Sequence, residues 1–596
     1  MNNSSLFIQR VYGKFYISTV LTLLLHTSIP FIGVFLAGNM FGPFALGTVG
    51  LLFPFLFIYE ALGAIYEVGS ATLCSKYIGE NNLTGAKKAV TVAYISNISI
   101  CAIIAVFGFT FLDNILCVLK VPEEMLGEAK LYAGIFLACG ASISSGAIGR
   151  GLLKFDGDVK TLAAITAITA ISLLCMLIVT YALIRYAGLG LSAIAIGINA
   201  GSALSGFFML YMMASKTKVL GFAKVRASEF AGIFVQTVKN GVTSTTSDVC
   251  GIINTVFINT ILVTTYGQLV LSAFSVYNSI YSLLTGVISG SSRAFVQLVG
   301  VMNAERDSAS VRQVIKTSIV YGMSLAVVVG ACLITFSGPI AFGFGMGSGE
   351  ARGLVEQFLA ILTLVIALDI ILNTFIFLHN TLGRHIFASV LVICRKLVFL
   401  IIPLYILSGI FGLEGVYHSL WLCSVFSICV ALIYGFYKSS RNKYLTNIFL
   451  IDTEAEKNGT CISFSVENSV ECITGCSRKI SGFCIQNRLD ESRSNLIEIT
   501  IVKILLLIHE YNLKDRREII NVRILFYQNE VIIRIRNGGE IFNPLTFCRD
   551  LKLPEKQEND DALEPNELDN IKMVMDTAKN VDYQRTFGVN NLMITL

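Results

Sequence analysis

The sequence predicts a polytopic all-α membrane protein, twelve transmembrane helices in two six-helix lobes, followed by a C-terminal α+β cytoplasmic domain. Three observations lead there. Of 596 residues, 54% are hydrophobic and only 14% charged, with a mean hydropathy of +0.70, where a soluble chain carries about a quarter charged residues. Apolar runs of the ~20-residue length that crosses a bilayer recur along the first 440 or so residues. Beyond about residue 442 they cease, and charges interleave with short apolar runs.

The runs fall near 14–38, 44–67, 89–112, 130–153, 161–184, 189–214, 235–262, 268–290, 313–336, 354–380, 386–410 and 413–437. Basic residues collect in alternate loops. Arg10 and Lys14 precede span 1, Lys76, Lys87 and Lys88 follow span 2, and Arg150, Lys154 and Lys160 follow span 4. Lys216, Lys218, Lys224 and Arg226 follow span 6, Arg293, Arg306, Arg312 and Lys316 follow span 8, and Lys438, Arg441 and Lys443 follow span 12. The opposite loops hold little beyond Lys120, Lys130, Arg185 and Arg352. This asymmetry predicts a multi-pass protein of the cell membrane with both termini in the cytoplasm. It also accounts for the formal charge of +5, so the bilayer is the expected partner and nucleic acid is not.

The N-terminus lacks a cleavage-site pattern, so span 1 reads as a retained signal anchor. Many of the fifteen cysteines lie in apolar runs without zinc-type pairing. Cys472, Cys476 and Cys484 stand at helical spacing and predict a buried helical face in a reducing cytosol rather than a metal site. No metal or other cofactor is expected.

The membrane part repeats. SKYIGENNLTGAKKA (75–89) after span 2 matches VQLVGVMNAERDSASVR (296–312) after span 8: each has a glycine (Gly79, Gly300), an asparagine three residues on (Asn82, Asn303), then a basic helix start. VPEEMLGEAKLYAGIF before span 4 likewise parallels GSGEARGLVEQFLAIL before span 10. Two repeats running in the same direction predict lobes at 1–220 and 221–440, related by an axis along the membrane normal, with a cleft between them.

HTSIPFIGVFLAGNMFGPFALGTVGLLFPF followed by VGSATLCSKYIGENNLTGAKKA is similar to the first two helices of MATE (multidrug and toxic compound extrusion) transporters. RGLLKFDGDVKT after span 4 and CRKLVFLIIPLYIL in span 11, with Arg395 and Pro403, extend the resemblance over roughly residues 10–440. It implies a proton- or sodium-coupled antiporter that exports amphipathic, often cationic, drug-like organic molecules by rocking of the lobes.

Such coupling needs an ionisable group inside the membrane. Burial there disfavours the charged form, so each intramembrane carboxylate is a candidate. The candidates are Glu60 and Glu67 in span 2, seven apart and so near one helical stripe, Asp248 in span 7 and Asp369 in span 10. Glu67, near the cytoplasmic end, has the alternative of snorkelling to water. Asp248 and Asp369 have the alternative of bonding neighbouring hydroxyls such as Ser244, Thr245 and Thr246. One branch of the resembled family binds its cation with acids on helices 7 and 10. The branch nearest by its loops has an aspartate in helix 1, an Asn-x-x-x-Asp pair in helix 5 and a threonine in helix 6. Here Ile32-Gly33, Ser172 with Met176, and Ile196 stand there, so ion coupling must rest on the four acids, or transport has been lost.

His26 and His379 read as packing residues, and Arg395 and Lys396 as residues that orient span 11 at the cytoplasmic interface. GFGMGSG (343–349) has no preceding strand to make a phosphate loop, and no G-x-x-x-x-G-K-[ST] occurs.

In the tail (441–596), IEITIVKILLLIHEYN (497–512) predicts a buried helix, NVRILFYQNEVIIRIRN (521–537) two strands turning near Gln528-Asn529-Glu530, and 568–596 a helix and hairpin. The order resembles the histidine-kinase-like ATPase domain of anti-sigma-factor kinases, with IRNGGEIFNPL as the adenine-side strand and loop. That resemblance implies a nucleotide site at Asn537, Gly539 and Asn570, but a degenerate one. Asn537 replaces an aspartate, Asn570 a glycine, and Val502 or Lys503 and Leu506 the magnesium and base residues. Kinase or ATPase chemistry is therefore not expected; binding of a cytoplasmic protein and regulation of the membrane half are. The alternative for the whole chain is a transport-dead sensor or scaffold.

Overall fold

The structure is a computed structural model that describes residues 3–79, 83–153, 159–215, 221–304, 306–347, 349–513, 518–540, 542–544, 578–586 and 589–596. Its membrane part comprises α1 (Asn3–Phe41), α2 (Pro43–Gly79), α3 (Leu83–Thr110), α4 (Leu112–Val118), α5 (Leu126–Cys139), α6 (Ala141–Leu153), α7 (Val159–Ala187) and α8 (Leu191–Ser215). There follow α9 (Ala227–Tyr266), α10 (Gln268–Ala304), α11 (Ser308–Thr335), α12 (Ser337–Gly343), α13 (Gly349–Thr381), α14 (His385–Ile393), a π-helical turn at Cys394–Val398, α15 (Phe399–Phe411) and α16 (Leu413–Arg441). Among the described residues eleven helices are long and apolar enough to cross a membrane, α14 to α15 counting as one. The pair leading into α5 and through α6, bent by 43°, makes a twelfth. The bend falls at Gly140, where a Cβ would stand 2.4 Å from the Tyr59 ring of α2.

The bundle exposes large apolar side chains such as Phe107, Ile178 and Val327, as a lipid-facing surface requires. Small residues let the helices close on one another. Along the α2–α9 contact a Cβ at Gly241 would lie 2.0 Å from the Ile65 carbonyl, and one at Gly69 2.1 Å from that of Thr237. Pro54, inside α2, has no N–H for the Gly50 carbonyl four residues back. Asn259 of α9 donates its amide to that carbonyl at 2.9 Å, supplying across the helix pair the bond the proline removes.

Chain contacts divide the molecule into two compact units. One holds residues 18–293 and 319–433; the other holds 1–17, 294–318 and 434–596. The second unit contains β1 (Leu445–Thr446), β2 (Ile451–Asp452), α17 (Glu454–Asn458), β3 (Thr460–Glu467), α18 (Val470–Thr474), α19 (Ser477–Gln486) and α20 (Glu491–Leu507), which continues as a π-helical stretch to Leu513. It ends with β4 (Ile519–Tyr527), β5 (Glu530–Asn537), β6 (Asn580–Thr586) and β7 (Val589–Thr595). The five-stranded antiparallel sheet has the order β3-β4-β5-β7-β6. Val522, Ile524, Ile533, Ile535, Leu592 and Ile594 on one sheet face pack with α18 to α20 into a single core. Gln528 and Asn529 both take positive φ, 51° and 65°, the backbone of a two-residue hairpin turn.

The expected buried helix and both hairpins are present. The expected helix near 568 lies outside the described residues. The strand β3 is an addition to the expected elements, and the expected buried cysteine face is corrected: Cys476 and Cys484 join the core, but Cys472 sits on the separate helix α18 and is exposed.

Candidate functional site

All four candidate acids lie in the unit of residues 18–293 and 319–433. Glu60 on α2 and Asp248 on α9 come within electrostatic range of each other, and Arg150 on α6 within range of Glu60. The close α2–α9 packing just described makes this meeting of residues nearly 190 positions apart. Both carboxylates are partly exposed rather than sealed in the core. Lys396 reaches the same place from the π-helical turn: its ammonium donates to the Ser247 carbonyl at 2.7 Å, lies within range of Asp248, and stands 3.4 Å from where a Gly251 Cβ would be. Glu67, two turns along α2 from Glu60, packs on α6, with a Gly151 Cβ 2.5 Å from its Cγ. Thr245 turns back on its own helix, bonding the Gly241 carbonyl at 3.1 Å.

Asp369 sits differently. It is 0% exposed on α13 and carries four hydrogen bonds from three other elements. Arg395 donates Nε to Oδ1 at 2.8 Å and Nη2 to Oδ2. Tyr281 of α10 donates to Oδ2 at 2.8 Å, and Ser424 of α16 to Oδ1 at 2.7 Å. The Tyr281 oxygen in turn accepts from Arg395 Nη2 at 2.9 Å. A bidentate arginine with two hydroxyls satisfies a buried carboxylate fully. The expectation that Arg395 and Lys396 orient span 11 at the interface is thus corrected: both sit ten or more residues inside the span His385–Phe411 and face acids. The cause is the π-helical turn, ending at Val398 five residues before Pro403; the extra residue in the turn re-aims its side chains. The signal available in the sequence was two cations in the middle of an apolar run, which must find counter-charges there.

The positions where the nearest branch keeps polar groups are filled by packing. A Gly33 Cβ would be 3.4 Å from Ile194, and Ser172 bonds the Ile168 carbonyl at 2.7 Å. Met176 is buried beside Gly197 and Gly201. His379 is buried, its ring edge-on to Phe387 and its Nδ1 3.3 Å from Arg384; the side chain of His26 lies outside the described residues.

In the tail, Asn537 ends β5, buried, with its amide 3.4 Å from the Gly538 carbonyl. Gly539 has φ +94°, and a Cβ there would meet Asn512 Oδ1 at 2.5 Å, so both backbone and space call for glycine. Asn512 accepts from the Glu540 amide at 2.9 Å, and Asn590 donates to the Glu540 carbonyl at 2.7 Å. Two carboxamides thus staple the loop after β5, and neither belongs to a motif in the sequence. Of the residues in the magnesium and base positions, Val502 and Leu506 pack against the core. Asn570 lies outside the described residues. Among the described residues no three His, Cys, Asp or Glu side chains are grouped to hold a metal.

The MatE family model matches residues 19–181 and 249–406, more than half of the chain. The multidrug export protein MepA of Staphylococcus haemolyticus is 22% identical over 462 residues, covering 72% of this chain and 95% of that protein. MepA of Staphylococcus aureus is 21% identical over 412 residues, covering 67% and 86%. The fold is similar to a solved inward-facing multidrug resistance MATE transporter of the MOP superfamily, with TM-score 0.64 at 19% identity over 74% of this chain and 100% of that one. An outward-facing structure gives 0.60 at 20% identity, covering 73% and 96%. This protein belongs to the MatE family, whose members are secondary membrane transporters and not enzymes.

Proposed function

We propose that the protein is a proton- or sodium-coupled antiporter of the cell membrane, with both termini cytoplasmic. It exports amphipathic, often cationic, organic compounds by alternating access between the lobes 1–220 and 221–440. The observation that carries this reading is that Glu60 and Asp248 lie within electrostatic range of each other, with Arg150 in range of Glu60 and Lys396 in range of Asp248, inside an apolar bundle. Two acids from different halves of the chain form a place where ion and cationic substrate compete, and motion of one half against the other changes their separation. Glu67 continues the stripe of Glu60 toward one end of α2. Asp369, saturated by Arg395, Tyr281 and Ser424, holds helices together and tunes the charge of the site rather than binding the ion itself. Similarity to proteins named for multidrug export supports the substrate class.

The tail, 441–596, serves as a non-catalytic regulatory domain. Its loop after β5 is held by the neutral amides of Asn512 and Asn590, and Val502 and Leu506 offer no metal ligand or base.

A second reading, a transport-dead sensor or scaffold whose tail binds a cytoplasmic protein, is favoured by Gly33, Ser172 and Met176, which put no carboxylate at those positions and are taken up by packing and by the Ser172–Ile168 bond. Dye accumulation in cells carrying wild type, Glu60→Gln and Asp369→Asn separates the two. Export by wild type, abolished in Glu60→Gln, is expected. Wild type matching empty vector across several cationic dyes would leave the sensor reading. For the tail, calorimetry with magnesium-ATP is expected to show no binding; micromolar affinity would overturn the degenerate-site reading.

A further inference from the structure

The tail sheet has a second face, opposite its apolar core, and that face carries arginines. Arg523 on β4 pairs in register with Arg534 on β5, with Arg536 two residues further on. Like charges directly opposite in a sheet repel. Yet these three are only 3%, 2% and 4% exposed, which a buried guanidinium tolerates only beside counter-charge and acceptors.

The covering groups come from the corner between α10 and α11 and from α17, all within one compact unit. Asp307 faces Arg536 at 3.4 Å and Arg523 at 3.7 Å. Arg523 also donates to the Arg306 carbonyl at 2.8 Å and reaches Glu456 at 3.4 Å. Arg534 donates to the Met593 sulfur at 3.6 Å.

The corner is itself unusual. Arg306 takes φ +55°, its amide bonding the Asn303 carbonyl at 3.0 Å while the Asp307 amide bonds that of Met302 at 2.9 Å. This is a helix stop in which glycine is usual, so a non-glycine residue there carries a backbone cost. Tail contacts offset that cost: the Arg306 guanidinium lies over the Tyr527 ring, 5.1 Å from its centre. The first turn of α11 is then capped twice. Asp307 accepts from the Ser310 amide at 3.1 Å, and Glu456, from the tail, accepts from the Ala309 amide at 3.2 Å and from the Ser308 hydroxyl. Burial alone pushes the Asp307 carboxyl up, but Arg523, Arg536 and the Ser310 amide hold it below the ordinary carboxylate range.

We propose that the arginine face of the tail sheet is an interaction surface occupied in cis by the α10–α11 corner, with Asp307 as the anchoring anion. The docked tail restrains the start of α11, and transport turnover requires working against that restraint. This rests on the transporter reading above and says where the regulatory domain acts. Docking adds stability to one arrangement of the corner, so removing it favours leaving that arrangement.

The test uses the full chain in liposomes, with two readouts. Asp307→Asn keeps the cap on α11 and removes the charge; Arg523→Gln with Arg536→Gln removes the partners. Amide exchange at residues 306–318 is expected to accelerate at least about tenfold in either variant, with β4 and β5 still protected. Combining the variants should add little further. Efflux of a cationic dye is expected to quicken by about fivefold. Unchanged exchange at the corner would overturn the docking, whether or not the chain transports. Accelerated exchange with unaltered efflux would overturn the restraint. A wild type that moves no dye, with exchange as expected, would sink the transporter reading and the restraint with it while leaving the docking standing.

Discussion

Two buried aspartate–arginine clusters, one in the bundle and one in the tail unit, use the same chemistry to different ends. Asp369 meets one arginine and two hydroxyls, and its four acceptances leave nothing over. Asp307 meets two arginines, with a third opposite one of them in register and Glu456 as the nearby second acid. The first is closed: its removal leaves a hole in the helix packing. The second is arginine-rich and depends on an anion from a different stretch of chain, which is how two segments come to recognise each other. Charge balance within a cluster, rather than burial, distinguishes a fastener from an interface.

Substitutions should separate them, beginning with the largest effect. Arg395→Leu leaves Asp369 buried without its cation and should lower bundle stability by about 3–5 kcal/mol. Arg395→Met with Asp369→Leu should recover most of that loss. Thermal unfolding in detergent measures both, and a double variant as weak as the single would show that the pair does more than fasten.

Asp307→Asn should cost about 2 kcal/mol, the loss of a charged hydrogen-bonding partner. Because Asp307 is held below its ordinary value of 3.8, its contribution is present above about pH 4 and fades as pH falls further, through its depressed value. Among the described residues, Arg523, Arg536 and Cys461 act on it electrostatically, Glu456 shares Arg523 with it, and Arg306 precedes it in the chain. Corner protection followed by amide exchange down the pH scale should show this in wild type and not in Asp307→Asn; identical profiles would remove Asp307 from the interface.

Smaller effects follow where one neutral bond is lost. Asn259→Ala strands the Gly50 carbonyl that Pro54 cannot serve, and should cost about 1 kcal/mol. Restoring an N–H with Pro54→Ala in the same chain should erase most of that cost in the melting curve. Asn512→Ala should cost about 1 kcal/mol in the tail and loosen the loop after β5, seen as faster exchange at Glu540.

The membrane half was legible because apolar runs of bilayer length are a strong signal, and every expected span has its helix or bent pair. The four acids stand out in the sequence for the same reason, since charge in hydrocarbon is conspicuous, while their part in coupling is the proposal made above. What escaped were pairings that need three dimensions. Arg395 looks like an interfacial anchor until the π-helical turn aims it inward. Along their strands Arg523, Arg534 and Arg536 simply alternate with apolar residues; no periodicity reveals that Asp307, more than two hundred residues earlier, meets Arg523 and Arg536. Asn512 and Asn590 bond backbone, which leaves no pattern at all.

The meeting of Glu60 with Asp248 is the central claim, and transport by the purified chain tests it most directly. In liposomes with an imposed proton or sodium gradient, wild type should drive a cationic dye against its own gradient. Glu60→Gln and Asp248→Asn should each abolish that coupling while keeping wild-type melting behaviour. Gradient-driven dye movement that survives both substitutions would contradict it.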